Sequence, residues 1–409
     1  MTRSDGLSQW QETVSRQMPH LSKPQAYVLA LWSFGMVLAQ RCGITSVVAA
    51  IAPLVGREEA TVRQQLREWC YEAAHKAGAK RGVKRQALDV STCFVPLLRW
   101  VLAWWPPTES RVALAMDAST LGQRFTVLAI SLIYRGCAIP IAWVVLPATT
   151  KGAWRPHWER LFTLIQPGVP TGWTVIVMAD RGLYAQWRYH HIQALGWHPF
   201  LRINVGGNYR PEGAATFRPL AQAVQQGKPG WSGRVTCFSS PESHLACTLL
   251  ARWDDGHTDP WLILTDLAPE QVDVAWYGLR PIIECGFKEV KRGGWHWEQT
   301  KMTDPARATR LWLVIAVATL WVVRVGGCAE ADGPASMIAV LPAAPVHPSP
   351  RTRPRLLSCF RRGVIVIVTT LITTGTLPAA RFIPEPWPKT LDPWAALPSA
   401  QQPHQEAAE

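Results

Sequence analysis

The chain has 409 residues, enough for two or three domains or for one catalytic domain with additions. Its 42 lysines and arginines against 29 aspartates and glutamates give a formal charge of +13, which favours a polyanionic partner, nucleic acid first. Nine scattered cysteines without a Cys-x-x-Cys pair argue against a zinc or disulfide scaffold, and apolar runs below about 18 residues argue against a membrane span.

The first 108 residues are predicted to form a helical region. An apolar helix over 45–55 ends at Gly56, and an amphipathic helix follows over 61–69. Two helices joined by a short glycine-containing turn are typical of a helix-turn-helix, in which Arg63 and Arg67 on the outer face of the second helix would contact DNA. A helical hairpin inside a bundle is the alternative.

From residue 109 the pattern becomes that of a sheet with helices. Three consecutive strand-like runs separated by short turns indicate an antiparallel meander. The predicted elements are strands over 112–116, 125–134 and 139–146, a helix over 157–165, a strand over 174–179, a helix over 184–195 and a strand over 199–203. This is the order of an RNase H-like core. We therefore predict an α/β fold of that type, with residues 109–204 as its first part.

Residues 205–270 interrupt this rhythm with glycine-rich turns and further strands, which predicts a β-rich insertion in the core. The predicted strands of the insertion are 235–238, 246–253 and 261–265. The core should resume over 271–330 and should end with a helix that begins at Pro305, since proline suits a first helical position.

Residues 331–409 are predicted to be a basic, proline-rich extension. Residues 341–409 hold 12 of the 33 prolines, and an arginine-rich stretch precedes a short helix or strand over 364–372. This composition favours partial disorder, in particular from about Pro384 to the end.

Four residues near the end of the core form a spaced set: Tyr277, Arg280, Glu284 and Lys291. At about 100° per residue on an α-helix, these positions fall on one face. Pro281 belongs in a first helical turn, so the regular helix is expected to begin near it, with the phenol and the guanidinium in the preceding turn. The carboxylate and the ammonium still share a face two turns apart.

Three carboxylates are predicted to meet: Asp117 and Asp180 at the ends of neighbouring strands, and Glu284 on a helix packed across them. Mg²⁺ prefers carboxylate oxygens, and phosphodiester chemistry suits two such ions. The groups expected to contact phosphates are Arg280, Lys291 and Tyr277. The sequence thus predicts metal-dependent chemistry on DNA, with the three acids as catalytic residues and metal ligands.

Simpler uses of these residues remain open. An aspartate at a strand end is most often a turn or helix cap. Glu284 has Lys288 four residues further on and can form an ordinary surface ion pair. The metal assignment therefore depends on whether the three carboxylates lie close together.

These residues resemble those of bacterial insertion-sequence transposases of the DDE class, in the family with a Tyr-x2-Arg-x3-Glu-x6-Lys signature. The four spaced residues meet that spacing without a gap. The segment from Ala179 to Tyr184 is similar to the family's Asp-Arg-Gly-aromatic segment, and Met116 to Thr120 is similar to the segment around the first acid. The resemblance covers roughly residues 20–330.

The resemblance implies several properties of the protein. It implies an RNase H-like fold, dependence on two Mg²⁺ ions with Mn²⁺ as a substitute, and a bacterial, cytoplasmic, nucleoid-associated enzyme. It also implies binding of double-stranded DNA, both inverted-repeat ends and target, by a synaptic homodimer that carries out cut-and-paste transposition. Family members that form a DNA hairpin hold a flipped base on a tryptophan of the insertion, for which Trp253 and Trp261 are the candidates.

Two other functions are compatible with the same residues. A metal-dependent nuclease on the same fold would cut DNA without joining it, with the same three acids. A non-catalytic protein derived from a transposase would only occupy DNA ends, although the intact acids argue against it.

Overall fold

A computed structural model of the protein describes residues 5–76, 87–150, 154–332 and 357–390. Within them the fold is mixed α/β, as predicted, with helices packed around one large mixed sheet. The helices are α1 (Asp5–Gln17), α2 (Lys23–Ala39), α3 (Ile44–Val55), α4 (Glu59–Trp69), α5 (Phe94–Leu102), α6 (Arg155–Ile165), α7 (Gln186–Ala194), α8 (Ile282–Lys288), α9 (Pro305–Asp332) and α10 (Cys359–Thr374). The strands are β1 (Arg111–Leu121), β2 (Phe125–Tyr134), β3 (Cys137–Pro147), β4 (Thr174–Ala179), β5 (His198–Arg202), β6 (Asn208–Pro211), β7 (Arg218–Pro219), β8 (Trp231–Cys237), β9 (Leu245–Arg252) and β10 (Trp261–Thr265).

The strands of the described chain form one sheet in the order β3-β2-β1-β4-β5-β10-β9-β8-β6-β7. The first three strands are antiparallel neighbours, whereas β1, β4 and β5 run parallel to one another. Every residue of β2 is buried, which explains its continuous apolar run. The bounds of β2, β4 and β10 are those that the sequence predicts.

The parallel pairing of β1 with β4 places two acidic residues side by side, just beyond the last aligned pair of these strands. β1 itself continues to Leu121 in its pairing with β2, so the prediction that Asp117 ends its strand is wrong. The last aligned pair is Ala115 and Met178. Two residues further along each strand direction, Asp117 follows on β1 and Asp180 follows the end of β4. The register of the sheet therefore aligns these two aspartates.

The strands between residues 205 and 270 continue the same sheet. β10 pairs antiparallel with β5, with Ile263 opposite Arg202, and β9, β8, β6 and β7 follow outward. β7, the last of these strands, has two residues, both exposed. The predicted β-rich stretch is thus joined to the core strands by backbone hydrogen bonds.

The long helix α9 is the centre of the helical layer. It is apolar on all sides and begins at Pro305, as predicted. It is long and apolar enough to cross a bilayer, but 94% of its most apolar window is buried inside the protein. The first helices share its core: the Trp10 ring stacks on Trp321 at 4.2 Å, and the Trp69 indole donates to the Arg310 carbonyl at 3.2 Å.

The C-terminal segment, residues 357–390, also packs on this body. α10 lies so close to α9 that a Cβ added at Gly326 would be 1.7 Å from the Cys359 carbonyl oxygen. After Gly375, which is in the left-handed region, residues 376–390 form neither helix nor strand. Residues 384–390, where the sequence predicts the start of a disordered end, contact the core, and residues 391–409 lie outside the described residues.

Candidate active site

The three acids predicted to act together all contact one guanidinium, that of Arg280. Nη2 lies 3.0 Å from Oδ2 of Asp117 and 3.8 Å from Oδ2 of Asp180. Nη1 lies 2.6 Å from Oε1 of Glu284. Residues from β1, from the loop after β4 and from α8 thus converge on one side chain, which is itself 7% exposed.

The aspartates are held by backbone N–H groups as well as by the guanidinium. The Ala118 N–H donates to Asp117 at 2.7 Å, and the Arg181 N–H donates to Asp180 at 2.6 Å. Burial raises the pKa of Asp117, and the Arg280 guanidinium is the largest of the influences that lower it. The positive charge therefore offsets part of the effect of burial on this carboxyl, which lies next to two more exposed acids.

The donor set suits a divalent cation in its chemistry, because all three groups are hard carboxylate oxygens. As these side chains lie, the guanidinium stands at their centre. Within the described residues, no group of three histidine, cysteine, aspartate or glutamate side chains surrounds a common position for a metal ion. A metal bound by these three acids would take the place of the Arg280 side chain.

We call residues 273–294 the signature segment, since they include all four spaced residues. A 3-10 helix over Val274–Leu279 leads into α8, and a π-helical turn over Glu289–Gly293 ends the segment. The regular α-helix therefore begins just after Pro281, as the proline predicts. The phenol and the guanidinium precede it.

The other two spaced residues reach the strands that hold the aspartates. Tyr277 is buried, and its hydroxyl donates to the Ala179 carbonyl, next to Asp180, at 3.3 Å. The Lys291 ammonium donates to the hydroxyl of Ser119 on β1 at 2.6 Å. Burial, followed by the nearby Arg292, lowers the pKa of the Lys291 ammonium. The four spaced residues thus all lie close to Asp117 on β1 and to Asp180 after β4.

The two candidate tryptophans lie in different surroundings. The half-buried Trp261 ring packs edge-on against Tyr277, with ring centroids 5.2 Å apart. The indole of Trp253 donates to the His257 carbonyl at 2.8 Å, within the hairpin between β9 and β10. Trp261 therefore adjoins the acids through Tyr277, whereas Trp253 is part of a hairpin turn.

The predicted helical pair near the N-terminus is present as α3 and α4, and α4 buries the apolar positions expected of it. Arg67 is exposed on α4. Arg63 donates to the hydroxyl of Thr45 at 3.2 Å and lies 3.6 Å from a carboxylate oxygen of Glu59. Arg67 thus faces solvent, while Arg63 braces the two helices.

The structure adds contacts that the sequence reasoning missed. The hydroxyl of Ser119 is the partner of Lys291, and the available signal was the presence of a hydroxyl residue two positions after Asp117. Arg181 forms an ion pair with Asp259 at 2.9 Å and so links the loop after β4 to the β9–β10 hairpin. Two aromatic residues of the proline-rich C-terminus, Phe382 and Trp387, pack on the core, and their apolar character was the available signal.

The chain is similar to a family of transposase domains and to a solved transposase complex. A family model described as the transposase DDE domain matches residues 115–321. Among solved structures, a cryo-EM structure of the piggyBac transposase synaptic complex with hairpin DNA is similar at 9% identity and a TM-score of 0.34, covering 76% of this chain and 72% of that chain. No curated protein matches the sequence.

Proposed function

Since the chain belongs to the transposase DDE domain family, we propose that it catalyses cut-and-paste transposition of a bacterial insertion sequence. The enzyme cleaves DNA at the inverted-repeat ends of the element and joins the freed 3′-hydroxyls to target DNA. One observation carries the proposal: Asp117, Asp180 and Glu284, from distant parts of the sequence, contact the single guanidinium of Arg280.

The sheet supports an RNase H-like core for this enzyme. Three antiparallel strands are followed along the chain by a helix, a strand, a helix and a strand, and the two later strands are parallel to the first; this order supports such a core. Asp117 lies on β1 beyond its last pair with β4, Asp180 follows β4, and Glu284 lies on the helix after the inserted strands.

The three carboxylates are the residues that would hold two Mg²⁺ ions, or Mn²⁺ as a substitute. When bound, these ions supply an activated water or 3′-hydroxyl and stabilise the leaving oxygen. Arg280, which holds the carboxylates together without metal, exchanges them for phosphate oxygens of bound DNA, since a guanidinium pairs with either anion.

Cations beside the acids position the DNA backbone. The Lys291 ammonium donates to Ser119, which lies two residues after Asp117 on β1. From this position it can neutralise a phosphate next to the cleaved bond. Tyr277 is already bonded to a carbonyl and buried, so its contribution is to hold the end of β4, with any phosphate contact secondary.

Further DNA contacts extend from this centre. Arg67 is exposed on α4 and suits a phosphate or base edge of the inverted repeat, with Arg63 beside it. Trp261, next to Tyr277, is the better placed of the two tryptophans to stack on a flipped base near the cleaved bond, and Trp253 is the other candidate. We propose that a homodimer holds both DNA ends, in the bacterial cytoplasm.

A gel assay of the purified protein tests the proposal. Linear DNA that carries the repeats flanking the gene is incubated with and without Mg²⁺, and the products are separated by size. We expect metal-dependent nicks at the repeat ends and, with plasmid DNA added, joined products. Cleavage of uncut ends, with no joining of either uncut or pre-cut ends to the plasmid, would indicate the nuclease instead.

The variant Glu284→Gln separates chemistry from binding. The amide keeps the shape of the side chain and loses the charge that a metal needs, so cleavage should be abolished while a mobility shift of end DNA persists. Glu270→Gln, at an exposed residue outside the site, is the matched control. Wild-type cleavage rates from the Glu284 variant would remove this residue from the site.

A further inference from the structure

The signature segment depends on tertiary contacts for its conformation and position. Its α-helix has seven residues, flanked by a 3-10 helix and a π-helical turn. Helices this short are marginal in isolation and depend on tertiary packing. α8 packs on the sheet, with Gly286 against Ala138 of β3, and the groups that pack against the two ends of the segment add to this support. Together these contacts determine where Arg280, Glu284 and Lys291 lie relative to the aspartates.

The start of the segment is held by the end of the C-terminal segment. The Trp387 ring packs edge-on against Trp276, with ring centroids 4.9 Å apart. The backbone N–H of Thr390 donates to the carboxylate of Asp273 at 2.6 Å, and its hydroxyl donates to the same group. The guanidinium of Arg111, the first residue of β1, lies over both indole rings, at 5.8 Å and 5.1 Å.

The end of the segment is held by the beginning of α10. The Arg361 guanidinium donates to the carbonyl of Gly293, the last residue of the π-helical turn. The Phe360 ring packs edge-on against Trp295 at 5.0 Å between centroids. It also lies against Gly294, where an added Cβ would be 2.5 Å from the ring. The end of the segment thus depends on a close fit to α10.

Between these two contacts the chain is attached to the rest of the protein. Gly375 accepts a hydrogen bond from the Gly6 N–H at 3.0 Å. Further along, the Ile383 N–H donates to the Tyr134 hydroxyl at 2.8 Å, and Arg135 donates to the Ile383 carbonyl at 3.0 Å. The contacts at the two ends of the signature segment are therefore made by one stretch of chain, residues 359–390, which is itself fixed to the rest of the protein.

We propose that residues 359–390 form a C-terminal clamp that grips both ends of the signature segment and sets the position of its catalytic residues. Phe360, Arg361, Trp387 and Thr390 are positioning residues: they act through the segment. The clamp lies outside residues 115–321, which the transposase DDE domain model matches. The catalytic consequence of the clamp rests on the proposed function.

Amide hydrogen exchange on the full-length protein tests the clamp without any activity. Thr390→Val keeps the volume of the side chain and removes the hydroxyl bonded to Asp273, and Trp387→Ala removes the ring on Trp276. We expect exchange over 273–280 to become about tenfold faster, with other regions unchanged. Thr373→Val is the matched control, because that hydroxyl bonds only within α10.

Conservative variants and kinetics distinguish positioning from a general loss of structure. Thr390→Ser and Trp387→Phe should restore slow exchange over 273–280. With end DNA and Mg²⁺, Thr390→Val should lower the cleavage rate constant about tenfold at unchanged DNA affinity. If Trp387→Ala yields no folded protein, the comparison of Thr390→Val with Thr390→Ser provides the test.

The outcomes separate the clamp from the proposed function. Exchange over 273–280 equal to that of the native protein in both Thr390→Val and Trp387→Ala would overturn the clamp, whatever the activity. So would faster exchange spread evenly over the chain. A native protein that cleaves no end DNA, while these variants show the local change in exchange, would leave the clamp standing and refute the transposase.

Discussion

Replacing Arg280 by glutamine should destabilise the metal-free protein, because it removes the guanidinium shared by three carboxylates. Asp117 is the least exposed partner, with its side chain 19% exposed, and the cost of about 3–5 kcal/mol for removing one partner from a buried pair is an upper limit for this half-buried acid. Asp180 and Glu284 are 37% and 53% exposed, so each adds less than about 1 kcal/mol. Allowing for a glutamine hydrogen bond, we expect a loss of roughly 2–4 kcal/mol in the free energy of unfolding.

Thermal unfolding in the presence of a chelator measures this loss, and its pH dependence tests the cause. The ordinary pKa of an aspartate is 3.8, and burial already raises that of Asp117. Without Arg280 the folded-state pKa should rise further. A raised pKa gives stability that is present below the unfolded value and is lost as pH rises through the folded value. The deficit of Arg280→Gln should therefore be larger at pH 7 than at pH 5.

Divalent cations should partly reverse the defect. Mn²⁺ replaces the missing positive charge, so it should raise the thermal midpoint of Arg280→Gln by more than that of the native protein, in which the guanidinium competes for the carboxylates. Arg155→Gln, which loses an exposed ion pair to Glu159, is the control and should change stability by less than about 1 kcal/mol. A thermal midpoint for Arg280→Gln equal to the native one at pH 7 in chelator would refute the reasoning.

Two further predictions concern Glu289 and Lys291. Burial raises the pKa of Glu289 to about 8, so its contribution to stability is present below pH 4.5 and is lost as pH rises through about 8. Glu289→Gln should flatten the fall of the thermal midpoint between pH 5 and pH 9, whereas the exposed control Glu270→Gln should leave the native slope; equal slopes in both variants would contradict the burial of that charge. Lys291→Ala should lower end-DNA affinity several-fold and reduce the slope of log affinity against log salt by about 1, measured by fluorescence anisotropy. An unchanged salt slope would place the Lys291 ammonium away from DNA.

The core of the fold could be predicted from local pattern. β2, β4 and β10 are apolar runs bounded by turn residues, so their bounds follow from the sequence alone. Asp117 and Asp180 could be singled out because each ends or interrupts such a run. The α8 start could be predicted from Pro281, whose ring suits a first helical turn.

The contact of one guanidinium with three acids could not be predicted in the same way. Arg280 and Asp117 are 163 residues apart, and their distance depends on how α8 packs across β1 and β4. Helical spacing places residues on a face but does not say what the face meets. Helical spacing therefore singles out residues that meet at one place in the structure but leaves their ion pairs unknown.

The C-terminal segment shows the limits of composition as a guide. Proline content and arginine clusters favour partial disorder, whereas the short helix or strand predicted over 364–372 lies inside the longer α10. That helix has a serine N-cap at Ser358 and a left-handed Gly375 as its C-cap, both readable as helix signals. The part from 376 to 390, which forms neither helix nor strand, packs on the core through two aromatic residues, Phe382 and Trp387. Composition averaged over a long segment does not show individual apolar residues, such as Phe382 and Trp387, that pack on the core.

The two borders of the ten-stranded sheet differ in a way that bears on self-association. β3 is almost wholly buried, whereas β7 consists of the exposed pair Arg218 and Pro219. Proline has no N–H to donate to an added strand, and arginine brings charge and a hydrated side chain. A second molecule that approaches this rim thus meets a poor template for fibril-like growth. Replacing the proline with valine would remove one of these two safeguards.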